Sequence, residues 1–176
     1  MHEFKTIKGE KIYIKYFDEY CITDEYLSWL NDTEVVRFSN QRFYVHTKET
    51  SMQYLTSFAN TDNLFLGIFL KENHVMIGTI NAYIDVRSGV ADLGIMIGNR
   101  SQWGKGMGLD AWKTLMQYLV EQFQLRKITA GTLRPNVGMV RIMEHSGMKL
   151  EAIRVKQLVL DNNAEDVLYY AKFSNG

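Results

Sequence analysis

Between residues 98 and 108 the chain reads Gly98-Asn99-Arg100-Ser101-Gln102-Trp103-Gly104-Lys105-Gly106-Met107-Gly108. This stretch follows an apolar run, Ala91 to Ile97, and leads directly into the strongest helical pattern in the chain. Strand, glycine loop and helix start together form an anion site. The first amides of a helix have no intrahelical partner and carry partial positive charge, and glycines let the backbone approach a phosphate closely. No acidic residue lies between Asp92 and Asp110, and Lys105 adds a cation. Phosphate is the natural guest. The same glycines would also serve a tight turn, and an isolated G-x-G-x-G does not decide between the two.

The elements that must position this loop follow from hydrophobic periodicity. Trp112, Leu115, Met116, Leu119, Val120 and Phe123 recur at helical spacing after the glycines. Lys11 to Phe17 alternates Ile12, Ile14 and Tyr16 with Lys11, Tyr13 and Lys15, the period of a half-buried strand. Thr23 stands as an N-cap before Tyr26, Leu27 and Leu30, with Asn31-Asp32 ending that helix. Thr47 caps a second helix carrying Met52, Leu55 and Phe58. Leu64 to Leu70 and Val75 to Val86 read as a hairpin about Lys71 to His74, and Ala91 to Ile97 follows the Arg87-Ser88-Gly89 turn. Lys127 to Leu133 is a further strand. Pro135 and Asn136 open a helix through about His145, which Gly147 stops. Lys149 to Val155 and Val167 to Phe173 then flank a turn at Asp161-Asn162-Asn163. The expected order is β, α, α, three β, α, β, α, β, β, an α/β protein with a mixed sheet and helices on its faces.

Composition bounds the partners. The chain has 176 residues, 46% hydrophobic, enough for one continuous core, and no composition shift marks a domain boundary, so residues 1–176 are expected to form a single domain. Lys plus Arg and Asp plus Glu each number 20, which gives no global field favouring nucleic acid or an anionic membrane. The lone cysteine, Cys21, excludes an intrachain disulfide framework and a cysteine zinc site, and no metal is expected. The leading segment Met1 to Glu10 lacks the apolar stretch of a signal peptide, and no run approaches the ~18 residues of a membrane span. A cytoplasmic monomer or homodimer is the expectation.

Two motifs in order now become informative. Trp103 to Gly108 resembles the acetyl-CoA loop R/Q-x-x-G-x-G/A of the GNAT acetyltransferase superfamily, with Gly106 and Gly108 at the small positions and Trp103 where Arg or Gln is usual. Asn136 to Met148 is similar to that family's N-x-x-S/A-x-x-x-x-E-K-x-G-F. There Asn136, Glu144 and Gly147 match, while Met139, His145 and Met148 depart from the pattern. The tryptophan before the loop resembles the branch that includes the ribosomal-protein N-terminal acetyltransferases. The resemblance implies a mostly antiparallel sheet of about seven strands with about four helices. It also implies that the strand Leu93 to Ile97 splays from Lys127 to Leu133.

Pantetheine would then lie in the splay against Ile95, Met96 and Ile97, the pyrophosphate on Trp103, Gly104, Lys105, Gly106, Met107 and Gly108, and Asn136 would reach the cofactor from the next helix. The implied reaction is acetyl transfer from acetyl-CoA to a primary amine. The amine must lose a proton, for which Asp92 is the candidate base. Relatives commonly place a tyrosine one residue before the Glu of the second motif, but Met143 stands here and cannot donate a proton. His145 is the substitute candidate, although a histidine at a helix C-terminus also serves as a dipole partner. The acceptor pocket is expected from Trp29, Asn31, Arg37, Asn81 and Tyr83, with Tyr26 and Asp32 close by in sequence. Neutral charge and this aromatic and amide set favour a small amine such as an amino-sugar nucleotide over a peptide terminus. An acyl-CoA-binding sensor without turnover is the rival of another class. A P-loop nucleotide domain lacks its Gly-Lys-Ser/Thr.

Overall fold

Thr6 to Ser174 are the residues described by the computed structural model, so Met1–Lys5 of the leading segment lie outside them. The alternation seen at Ile12 and Ile14 builds β2 (Ile12–Tyr16), which turns back on a two-residue strand, β1 (Ile7–Lys8). Then come α1 (Asp24–Leu30) and α2 (Lys48–Thr56), followed by β3 (Leu64–Leu70), β4 (Met76–Asp85) and β5 (Val90–Ile97). The remainder is α3 (Met107–Phe123), β6 (Lys127–Leu133), α4 (Val137–His145), β7 (Lys149–Leu160) and β8 (Asn163–Phe173). One eight-stranded sheet results, in the order β1-β2-β3-β4-β5-β6-β8-β7. The strand beyond the expected seven is β1, whose two residues are too few to show a period.

The caps read from sequence at Thr23 and Thr47 hold in space, and the structure adds a third at Asn136. The Thr23 side chain accepts from the Tyr26 amide, Thr47 from the Thr50 amide and Asn136 from the Met139 amide. Each satisfies one of the donors a helix start leaves open, which contributes about 1 kcal/mol. Gly147 ends α4 at φ +83°.

The sheet is packed on both faces. On one, Ile14, Leu66, Ile68, Ile80, Ala91 and Leu93 meet Trp112, Leu115 and Leu119 of α3 and Met143 of α4. The three α3 side chains have no exposed surface, and burying each stabilises the fold by about 2 kcal/mol. On the other, Phe65 and Phe69 meet Tyr26, Trp29 and Leu30 of α1, with Met52 and Leu55 of α2 against them. Being covered on both sides explains why β3 reads Leu-Phe-Leu-Gly-Ile-Phe-Leu without polar alternation. Among the described residues no helix is long and apolar enough to cross a membrane.

Every strand pair is antiparallel except β5 with β6. That parallel pair shares only three rungs, Val90↔Lys127, Ala91↔Ile128 and Asp92↔Thr129. Beyond them β5 stays in register with β4 as far as Ile97↔Gly78, and β6 stays with β8 as far as Leu133↔Val167. The facing edges of Leu93–Ile97 and Ala130–Leu133 therefore diverge, opening a V at the C-terminal ends of two parallel strands.

Candidate active site

Both helices that follow the walls of this V begin at its open end. β5 runs through the short helical turn Arg100–Gln102 into α3, and β6 runs through Pro135 into α4. Two helix N-termini thus converge on one opening, each contributing partial positive charge.

They differ in how their amides are used. The starts of α1, α2 and α4 each carry a side-chain cap, whereas α3 has Gly106 at its N-cap position and no side-chain cap. The amides of its first turn are left to an external acceptor. Gly104 and Gly106 stand at φ +72° and +85°, and a Cβ built on either would meet no atom within 4 Å. The loop is thus a shallow cradle of backbone, shaped for close approach by an anion.

Contacts from Trp103, Asp110 and Lys11 hold the cradle in place. The Trp103 indole donates from Nε1 to the Ile97 carbonyl at 2.7 Å, stapling the loop to the end of β5. The Trp103 amide donates to the Arg100 carbonyl, so among the amides predicted to line the loop this one is already engaged. Asp110, in the first turn of α3, turns its carboxylate away. It accepts from the amides of Glu10, Lys11 and Ile12 at 2.8, 2.6 and 3.1 Å. The one acidic group near the helix start is thereby spent on the β1–β2 turn rather than facing the cradle. Lys105 is exposed, and its carbonyl accepts from Lys11 Nζ at 3.4 Å.

At the far wall Asn136 is both cap and brace, accepting from the Met139 amide at 3.3 Å and donating from Nδ2 to Thr132 Oγ1 at 3.0 Å. One Nδ2 hydrogen remains for a ligand. Ile95 and Ile97 point into the α3 core, and Met96 points to the α1–α2 face, so what this part of β5 offers the V is its backbone edge.

On the α1–α2 face, Asp92 sits at the last rung of the V. Thr129 Oγ1 donates to Asp92 Oδ1 at 2.7 Å. Neighbouring atoms desolvate the carboxyl enough to hold its pKa above the ordinary carboxylate value, with the Thr129 hydrogen bond opposing, although the residue keeps an exposed surface. Tyr83 is its register partner on β4, and two rungs further Asn81 lies across Gly94, where an added Cβ would fall 2.8 Å from Asn81 Oδ1. The Tyr83 hydroxyl is 2.9 Å from that of Tyr54, and Phe58 stacks on the Tyr83 ring. Burial first, and then the bond to Tyr83, keep the Tyr54 phenol well above its usual range and therefore neutral. The face presents a carboxylate, an amide and a phenol beside the V.

The remaining predicted residues are placed differently. Trp29 is buried, with its ring over Gly98. Asn31 clamps the chain, donating to the Leu27 and His46 carbonyls and accepting from the His46 amide, each at 2.9 Å. Arg37 pairs with Asp161 at 2.9 Å. His145 is exposed at the end of α4, on the face of the sheet opposite to Asp92, and no hydrogen bond joins the two. Met143, at zero exposure, is core. Sequence reasoning missed Thr129, Tyr54 and the role of Asp110. None lies in a motif, and only strand register or helix packing brings them to the site. Among the described residues no His, Cys, Asp and Glu cluster could hold a metal. A separate concavity of about 450 Å³ between Lys15, Asp18, Glu25 and Phe69 shares only Trp29 with the predicted set.

Comparison with known proteins bears on this arrangement. A family model described as acetyltransferase (GNAT) domain matches residues 17–149. A Bacillus subtilis (strain 168) protein named probable N-acetyltransferase YjcK is 22% identical over 171 residues, covering 91% of this chain and 92% of the relative. RimL, a ribosomal α-N-protein acetyltransferase solved with coenzyme A, superposes with a TM-score of 0.85 at 16% identity, over 96% of this chain and 98% of its own. Spermidine N-acetyltransferase from Vibrio cholerae, solved with coenzyme A and spermine, gives 0.82 at 14% identity, over 94% and 96%.

Proposed function

We propose that this chain, which belongs to the GNAT acetyltransferase family and is an N-acetyltransferase, acts on the primary amine of a small metabolite such as an amino-sugar nucleotide. The observation that carries the cofactor half of the reading is the uncapped start of α3 beside the unpaired edge of β5. Gly104 to Gly108 would hold the pyrophosphate of acetyl-CoA on their amides with Lys105 as counter-charge, the backbone edge from Leu93 to Ile97 would hold pantetheine, and Asn136 would add its free Nδ2 hydrogen. Acetyl-CoA supplies a thioester, so that the new N–C bond forms as the C–S bond breaks.

The chain's own residues handle the protons. An ammonium must give up one before its nitrogen can attack, and Asp92, held by Thr129 beside the V, is the base in reach of that face. Desolvation, opposed by the Thr129 hydrogen bond, raises its pKa and makes it a better proton acceptor than an ordinary carboxylate. The backbone amides of β5 would polarise the carbonyl as negative charge develops on its oxygen, and one such donor contributes about 3 kcal/mol to the rate. The departing sulfur takes its proton from water or from the exposed His145 ring. Met143 has no part in this.

The amine half rests on the face formed by Asn81, Tyr83, Tyr54 and Phe58, since aromatic rings with a few amides suit a sugar or a base. A protein N-terminus is the second reading, favoured by the fold shared with RimL. Thiol release measured side by side on glucosamine, its nucleotide conjugate, spermidine and a free-amine tetrapeptide tests the choice. Turnover of the small amines supports the reading; turnover of the peptide alone overturns it.

A further inference from the structure

The most deeply buried residue of α2 is a serine. Ser51 keeps 5% of its surface, while Met52, Tyr54 and Leu55 around it are only partly buried. The other hydroxyls of this segment are all engaged. Thr50 Oγ1 donates to the Thr47 carbonyl at 3.1 Å, Thr56 Oγ1 to Met52 O at 2.8 Å and Ser57 Oγ to Tyr54 O at 2.6 Å, and the Tyr54 hydroxyl meets that of Tyr83. Ser51 Oγ is buried without a hydrogen-bond partner among the described residues. Such a hydroxyl has left water without a replacement bond and weakens the fold.

The course of α2 puts this hydroxyl on the acceptor face. At its start, Asn31 holds His46, the residue before the Thr47 cap, to the end of α1. Trp29 of α1 sits over Gly98 so closely that an added Cβ would lie 2.1 Å from the indole. α2 therefore begins beside the end of β5. One turn after Ser51, Tyr54 reaches the Tyr83 hydroxyl, and Phe58, just past the helix, stacks on Phe65 and Tyr83. Ser51 belongs to the same stripe, since helix positions three, four and seven apart line one face. It thus lies between the end of β5 and Tyr83, the register partner of Asp92, over the sheet face that carries Asp92, Gly94 and Asn81. Gly94 adds no side chain there, and the Asn81 amide makes no side-chain hydrogen bond to another described residue.

We propose that Ser51, with Asn81, binds a hydroxyl of the acceptor next to its amine, so that the enzyme selects amino alcohols over plain alkylamines. This rests on the acetyl-transfer reading above and narrows its small acceptor. With the amine at Asp92, the neighbouring hydroxyl gives Ser51 the partner that the fold does not. The serine hydroxyl and the asparagine amide each donate and accept, so an acceptor hydroxyl satisfies both. An amine lacking that hydroxyl leaves the buried serine unpaired, and the difference appears as selectivity.

The test pairs vicinal aminocyclohexanol with cyclohexylamine, which differ by that hydroxyl alone. Thiol release gives kcat/KM for both amines with wild type and Ser51→Ala, and urea unfolding is followed for both proteins. Wild type is expected to favour the amino alcohol by at least about tenfold, and Ser51→Ala to lose about tenfold on the amino alcohol and less than about twofold on cyclohexylamine. Ser51→Ala should unfold at a urea concentration no lower than wild type, because alanine removes an unpaired hydroxyl and favours the helix. A lower midpoint overturns the proposal, since the hydroxyl would then serve the fold. So does an equal loss on both amines, or no loss on either. Any of these results with turnover of small amines removes the Ser51 assignment alone. Turnover of a free-amine peptide and no small amine removes the small-acceptor reading and the assignment together, and turnover of no amine by a protein that binds coenzyme A removes acetyl transfer as well.

Discussion

Thr129 and Asp92 are the last rung that β5 and β6 share, and the Thr129 hydroxyl donates to the Asp92 carboxylate at 2.7 Å where the two strands part. The pair is at once the hinge of the V and the proton acceptor proposed for the amine. Asp92→Asn should lower kcat/KM by about a hundredfold or more, the scale of a positioned base. Desolvation raises the Asp92 pKa and the Thr129 bond lowers it, so Thr129→Val should move the acid limb of the pH–rate profile to higher pH. A limb that stays in place, with Thr129→Val folded, would take Asp92 out of the rate equation.

The same pair makes a stability prediction of defined sign. A carboxyl whose pKa is raised by folding gives the folded state an advantage that is full at low pH and lost as pH rises through the raised value. Replacing it with the neutral Asn removes the cost of keeping a charge there. Thermal melts should therefore show Asp92→Asn gaining stability relative to wild type at pH 7 and losing that gain near pH 3.

Met143 fills the core beneath α4 at zero exposure. Met143→Leu keeps volume and apolar character and should change turnover by less than about threefold. Met143→Ala should cost about 3 kcal/mol in urea unfolding. A large loss of activity in a stable Met143→Leu protein would mean that the side chain meets the reacting atoms.

Asp110 accepts from three consecutive backbone amides of the β1–β2 turn. Asp110→Ala leaves those donors without their acceptor and should destabilise the protein by about 2 kcal/mol, measured by chemical denaturation. Coenzyme A affinity should not fall in the variant that remains folded, since the carboxylate faces away from the cradle.

What could be read from sequence was local. The caps at Thr23 and Thr47, the helix start at Pro135-Asn136 and the glycine loop each announce themselves within a few residues, because a helix start needs its partner nearby. The Asp92–Thr129 pair spans 37 positions and depends on a parallel register that no single-strand pattern contains. The Arg37–Asp161 pair spans 124. β7 was expected to stop at Val155, where Lys156 and Gln157 interrupt the apolar run. Instead a bulge forms with Lys156 at φ +51° and its amide bonded to Asp166, and pairing resumes at Leu158. The bulge works because Asp166, held below the usual carboxylate range first by that amide and then by Arg134, supplies the missing acceptor from another strand.

Calorimetry of coenzyme A binding to wild type and to Gly106→Val tests the account at its centre, the cradle at the start of α3. A Cβ at Gly106 meets no protein atom, so the valine side chain enters the space assigned to the pyrophosphate, and its φ of +85° adds local strain. The account predicts binding by wild type and an affinity at least about tenfold weaker, or about 1.4 kcal/mol, in a variant shown by circular dichroism to be folded. Equal affinity in the two folded proteins would contradict it.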